Sequence, residues 1–367
     1  MRVPLVDLGW QHGEIAEDVE RGMQEVIETT AFIHGPQVAA FETAFAEFIG
    51  VRNCVGVGNG TDALELAIKA LGIGPGDKVI VPANSFIASA LGVLRAGADV
   101  VLVDCHPNTY LIDFEKVADA IDPSVRAVMP VHLYGQIAPI DQLGDLPDRV
   151  AVVEDAAQSQ GATRHGQGSG SFGEVAGTSF YPGKNIGAYG DGGAVLTNDD
   201  QLARKVRRLG NWGSDQKYHH PEVGFNSRLD TIQAVVLSAK LSRLLDWNEM
   251  RSVAAKFYEQ LLGGLEQVEL PRVLEGNSHI WHLYVIRVPD RGRVLAELQA
   301  DGVGAGIHYP VPMHLQGALS SLGYRRGDFP EAEAAADEIL SLPIFPGITE
   351  SQQEHVADSL IRALDTK

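Results

Sequence analysis

Short apolar runs, most of them rich in β-branched residues, punctuate the first two-thirds of the chain at 54–57, 78–81, 99–103, 127–131, 151–154, 178–180 and 194–197. Several are continuous rather than alternating, which is the pattern of strands covered on both faces. Segments of helical period lie between many of them, at 62–71, 86–96 and 114–121. Strand alternating with helix predicts an α/β fold, a mostly parallel seven-stranded sheet flanked by helices on both sides. Glycine- and proline-rich turns such as Gly72-Ile73-Gly74-Pro75-Gly76-Asp77 mark the connections.

The pattern changes after about residue 230. Residues 230–262 read as one long helix-compatible stretch without proline, followed by a strand at 282–288, a helix at 293–300 and a strand at 305–309. Two more helical stretches follow at 331–340 and 350–364. The expected organisation is a large domain over 1–240 and a smaller C-terminal α+β domain over 241–367, hinged along the long helix.

Composition narrows the classes of function. The 367 residues are 45% hydrophobic and 21% charged, which excludes intrinsic disorder. No apolar run is long enough to span a bilayer, and the first residues lack a signal core, so a cytoplasmic protein is expected. Lys and Arg total 29 against 48 Asp and Glu, a net charge of −19. That excess repels polyphosphate backbones and anionic membranes, so neither nucleic acid nor membrane is an expected partner. A single small phosphate ester needs only local donors and stays open. Cys54 and Cys105 belong to no C-x-x-C pair and read as buried reduced thiols.

Common site motifs fail on inspection. Gly56-Val57-Gly58-Asn59-Gly60-Thr61 lacks the final small residue of a dinucleotide fingerprint. Gly183-Lys184 has neither the first glycine nor the following Ser or Thr of a Walker loop. His219 and His220 are adjacent rather than helically spaced, so no zinc pair forms.

Three features remain. Gly58-Asn59-Gly60-Thr61 joins a strand to a helix, where glycines and free N–H groups suit an anion and Thr61 either caps the helix or binds a phosphate oxygen. Asp155 ends a buried strand, where ligands of such sheets sit, as a helix cap or as a carboxylate holding a pyridine nitrogen protonated. Lys184 lies between Gly183 and Asn185-Ile186-Gly187, a cramped turn in which a desolvated amine becomes a Schiff-base nucleophile. Cradle, acid and lysine together point to pyridoxal 5′-phosphate.

With SFYPGKNIGAYGDGGAV at 179–195, and further matches at 58–64, 81–88, 153–158, 224–233 and 306–316, the chain resembles the DegT/StrS-type sugar-nucleotide aminotransferases of fold type I. The resemblance implies that Lys184 forms the Schiff base and shuttles the proton, and that Asp155 pairs with the ring nitrogen. Gln158 would approach the ring hydroxyl, while Gly60, Thr61 and Ser179 would hold the phosphate. Phe86 would stack on the ring, although it also reads as the first core residue of its helix. Asn226 would reach the phosphate of a neighbouring subunit, which implies a homodimer with shared active sites. The stretches 211–219 and 306–314 resemble the subgroup that aminates C3 of dTDP-3-keto-6-deoxyhexoses. Lys217, Tyr218, His308 and Tyr309 of these stretches, with Tyr189 of 179–195, become candidate substrate contacts, against a solvated-loop reading for Lys217 and His219. L-glutamate is the implied amino donor. Amination at C4, a UDP-linked sugar and a non-catalytic regulator remain as alternatives.

Overall fold

The computed structural model describes residues 1–144 and 146–365. One sheet contains all the expected strands of the first two-thirds, in the order 53–57, 193–197, 175–179, 151–155, 125–128, 78–82, 99–103. Strand 193–197 is antiparallel to both its neighbours, and the remaining pairs are parallel. Val79, Ile80, Val81 and Val153 are fully buried, which is why these runs read as continuous.

Helices cover both faces. Helix Gly60–Ala70 buries Ala63, Leu64, Ala67 and Ile68, in one cluster with Ala90 and Val93 of helix Ile87–Ala96 and with Val79 and Val81. On another side Phe41 and Phe45 of helix Pro36–Ile49 meet the ring of Phe180 edge-on. Burial of each such side chain stabilises the fold by roughly 1.5–3 kcal/mol. Register then gathers one edge of the sheet: Val57 lies opposite Gly193, Gly193 opposite Ser179, and Asp155 opposite Gly177. Asp155, Ser179 and the turn after Val57 therefore share that edge.

Three expectations change in detail. Residues 230–262 form two helices, Thr231–Leu241 and Leu244–Leu262, with Asp230 as N-cap. Ser242 Oγ donates to the Ala239 carbonyl at 2.7 Å, a local bond that competes with helix continuation. The helix expected at 331–340 is Pro330–Glu338, and Ile339–Leu342 leaves it to pair antiparallel with Tyr284–Arg287. The strand expected at 305–309 is reduced to a single bridge between Gly306 and Ser341. Leu340 and Leu342 are fully buried, so tertiary pairing overrides the helical composition of the acidic run before them.

A second apolar cluster joins Tyr258, Tyr284, Ile286, Val294, Leu298 and Leu360, and it includes Val3 from the start of the chain. Val3 also bridges to Val303. Cys54 and Cys105 are free and buried. Among the described residues, no helix is long and apolar enough to cross a membrane, and no group of three or more His, Cys, Asp or Glu could hold a metal ion.

Candidate active site

A cavity of about 850 Å³ opens at the sheet edge where Asp155 and Ser179 end their strands. Its wall includes Lys184, Asp155, Gln158, Phe86, His308 and Tyr309. Lys184 follows strand Val175–Ser179 in a turn closed by its own N–H on the Tyr181 carbonyl at 2.9 Å. Among the described residues its amine has no hydrogen bond or ion pair. Burial pushes that amine down to about 8, against a smaller upward pull from the Asp155 carboxylate. The amine thus begins to lose its proton just above neutral pH, giving the form a nucleophile requires.

Asp155 is buried, and each of its oxygens accepts one hydrogen bond. Ser89 donates to Oδ2 at 2.7 Å and the Ala157 N–H to Oδ1 at 3.1 Å. Its neighbour Glu154 points away into the protein, where it accepts from His132 Nε2 and from the N–H groups of Gly170, Phe172 and Gly173. Alternation along one strand thus gives two acids different tasks.

The phosphate-type edge is equally defined. Asn59, not Thr61, caps helix Gly60–Ala70, accepting the Asp62 N–H at 2.8 Å. The Thr61 side chain is left on the cavity wall, beside Gly60 and Ser179. Gly60 allows a close approach there, since a Cβ would stand 2.6 Å from the Ser179 Cβ. Asp62 does not oppose an anion at this place: Arg95 pairs with its Oδ1 at 3.1 Å and Ser227 donates to its Oδ2 at 2.7 Å.

On the opposite wall Gln158 accepts the Tyr134 N–H at 2.7 Å and donates to the Tyr309 hydroxyl at 3.2 Å. Phe86 sits in extended backbone just before helix Ile87–Ala96, 51% exposed, with its ring 5.2 Å from that of Tyr309. It is therefore not a core residue of the helix. Burial, with Lys184 adding to it, lowers His308 to about 4, so the cavity receives a neutral imidazole rather than a cation.

One chain thus brings together Lys184, Asp155, Gly60, Thr61, Phe86, Gln158, Ser179, His308 and Tyr309. It leaves four candidates outside the cavity wall. Tyr189 turns to His12, hydroxyl to Nδ1 at 2.5 Å. Lys217 and Tyr218 are exposed and stack on each other at 5.1 Å. Asn226 is exposed and accepts from Arg228 at 2.7 Å. The wall also contains Ser85, Tyr181, Asp191 and His282, which sequence reasoning did not select. Ser89 had a usable signal: it lies one turn along the helix that Phe86 precedes.

The site fits pyridoxal phosphate, since an unpartnered desolvated amine, a buried carboxylate and a glycine-walled cradle border one cavity. Comparison with known proteins agrees. The profile of the DegT/DnrJ/EryC1/StrS aminotransferase family matches residues 14–361. The chain is 43% identical to a dTDP-3-amino-3,4,6-trideoxy-alpha-D-glucose transaminase of Streptomyces venezuelae over 361 residues, covering 98% of this chain and 95% of that one. It is 44% identical to the erythromycin biosynthesis sensory transduction protein EryC1 of Saccharopolyspora erythraea over 362 residues, covering 98% and 99%. The crystal structure of S. venezuelae DesV in complex with a ketimine intermediate superposes with a TM-score of 0.97 at 42% identity, covering 100% of this chain and 99% of that one. Fold and site define the class as a transaminase of the pyridoxal-phosphate-dependent type. The chain belongs to the DegT/DnrJ/EryC1/StrS aminotransferase family.

Proposed function

We propose that this chain is a cytoplasmic enzyme that moves an amino group from L-glutamate to C3 of a 3-keto-6-deoxyhexose carried on dTDP. The observation that carries the reading is the meeting of the Lys184 amine and the Asp155 carboxylate in one cavity. The Streptomyces transaminase, named for a dTDP-linked 3-amino sugar, supports the choice of nucleotide and carbon.

When bound, pyridoxal phosphate supplies an aldehyde and an electron-withdrawing ring. Asp155, held by Ser89 and Ala157, would hold a proton on the ring nitrogen. Lys184 would hold the cofactor at its aldehyde through Nζ, and the same amine would hold and move the proton of the donor α-carbon. Gly60, Thr61 and Ser179 would hold its phosphate, Phe86 would pack against its ring, and Gln158 and Tyr309 would receive its ring hydroxyl. His308 contacts the sugar nucleotide.

The exposure of Asn226, Lys217 and Tyr218 on a single chain supports a homodimer in which the partner's 211–228 loop completes each site. Tyr189 would join them only after leaving His12. A domain division near residue 240 is part of the same reading, with the second apolar cluster drawn mainly from Ala254 onward. Residues 366–367 of that unit lie outside the described residues.

Cofactor-loaded protein given L-glutamate and dTDP-3-keto-6-deoxyglucose is expected to release 2-oxoglutarate and a C3-amino sugar nucleotide, identified by mass and NMR. A C4-amino product, or faster turnover of a UDP-linked keto sugar, would move the assignment within the family. The name of the Saccharopolyspora relative raises a regulatory reading, and absence of turnover with every keto sugar would favour it.

A further inference from the structure

Behind Lys184 runs a chain of side-chain amides pinned at both ends by backbone carbonyls. Asn248 Nδ2 donates to the Gln160 carbonyl at 3.1 Å. Its Oδ1 therefore faces Asn185, whose Nδ2 donates to it at 2.8 Å and to the Ile280 carbonyl at 3.1 Å. A carbonyl only accepts, so both amide orientations are fixed. The one remaining Asn185 atom, Oδ1, lies 3.1 Å from His282 Nδ1. An amide oxygen cannot donate, so the imidazole proton sits on Nδ1 and Nε2 is a bare lone pair.

The residue that carries that lone pair borders the cavity. His282 is only 8% exposed and borders the cavity with Lys184, Leu283 and His308. Among the described residues, Nε2 has no hydrogen-bond partner. Burial, with the Lys184 charge adding to it, holds His282 well below the ordinary imidazole range, so the ring stays neutral. The backbone is fixed as well. Ile280 N–H donates to the Gly135 carbonyl at 2.9 Å, Leu283 N–H to the Tyr134 carbonyl at 3.2 Å, and Arg251 to the Trp281 carbonyl at 3.1 Å. Gly135, at φ +114°, admits this segment, since a Cβ would stand 2.8 Å from the His282 nitrogen. His308 differs: its Nδ1 meets the Ser341 hydroxyl at 2.8 Å, a group that either donates or accepts.

We propose that His282 contacts the substrate, its Nε2 accepting a hydrogen bond from a hydroxyl of the sugar bound beside Lys184. The inference rests on the sugar-nucleotide reading above and adds a residue to it. A fixed lone pair selects for an O–H at this place and repels a carboxylate or carbonyl oxygen, which gives the cavity a directional test of the sugar.

Calorimetric titration of the cofactor-loaded protein with dTDP-glucose and with dTDP isolates what the sugar adds. His282→Phe keeps a ring and removes the lone pair; it is expected to weaken dTDP-glucose about tenfold and leave dTDP within about twofold. His282→Gln retains an acceptor and should recover most of the loss. Equal affinity of wild type and His282→Phe for dTDP-glucose overturns the proposal, and so does an equal loss for dTDP. If His282→Phe does not fold, ¹⁵N NMR of the wild-type imidazole decides: a proton on Nε2 overturns the proposal, and one on Nδ1, with a shift of that ring's signals on adding dTDP-glucose but not dTDP, supports it. Failure of wild-type protein to bind either compound is the failure of the sugar-nucleotide reading, and the proposal falls with it.

Discussion

Ser89 gives its hydroxyl proton to Asp155 Oδ2 at 2.7 Å, and both side chains are buried. Because a hydroxyl has one proton, Ser85, 2.8 Å away, must be the donor to Ser89. The two serines form a relay from the cavity wall to the carboxylate, and that relay fixes the direction of Asp155. Ser89→Ala removes one charge-assisted bond of about 1.5–3 kcal/mol. We expect kcat to fall at least about tenfold, while the thermal midpoint falls by only several degrees and unfolding stays cooperative. Steady-state kinetics beside calorimetry checks this, and unchanged kcat would separate Ser89 from the site.

Lys184 yields a pH prediction with a definite sign. Its amine reacts only when unprotonated, and burial sets its midpoint at about 8 instead of the ordinary 10.5. In cofactor-free protein, labelling of Lys184 by an amine-specific reagent should therefore rise through pH 8 and level off before 10. The Asp155 carboxylate pulls the value up, so Asp155→Asn should move the midpoint below that of the wild type. An upward movement would contradict the electrostatic account.

Glu154 makes a separate prediction about stability. It accepts four hydrogen bonds in the interior, one from His132 and three from the 170–173 turn. Glu154→Ala strands all four donors and should cost about 3–5 kcal/mol in urea unfolding. Glu154→Gln keeps one acceptor oxygen and should cost less. A neutral alanine variant would show that the turn finds other partners.

Gly60→Ala tests the cradle. The added methyl must displace Ser179, whose Cβ would be only 2.6 Å away, at the edge where the phosphate is expected. The dissociation constant for pyridoxal phosphate, followed by absorbance, should rise at least about tenfold, with the Lys184 labelling profile of the cofactor-free protein unchanged. Unaltered affinity would place the phosphate elsewhere.

Much of this site was legible because its core is local. Asp155 ends a continuous buried run, Lys184 sits in a distinctive turn, and Gly60-Thr61 opens a helix after a strand, so each could be read from its neighbours. The misses have physical causes of their own. His282 lies in a run that reads as strand, and its tautomer depends on Asn185 and Asn248, residues remote in sequence from it. The Thr61 hydroxyl is left to the cavity because Asn59 supplies the cap, a competition between two capable side chains that spacing does not decide. Nothing around Tyr189 announces that its hydroxyl turns to His12, which lies 177 residues earlier in the chain. The break at Ser242 carries no proline or glycine, and strand Ile339–Leu342 depends on a partner more than fifty residues earlier, so neither had a local signal.

The measurement that bears most directly on the central claim is covalent mapping. Protein loaded with pyridoxal phosphate is reduced with borohydride, digested and sequenced by mass spectrometry. The account predicts one modified lysine, Lys184, and loss of the modification in Lys184→Ala. A label on another lysine with position 184 untouched, or an undiminished yield in the alanine variant, would contradict it.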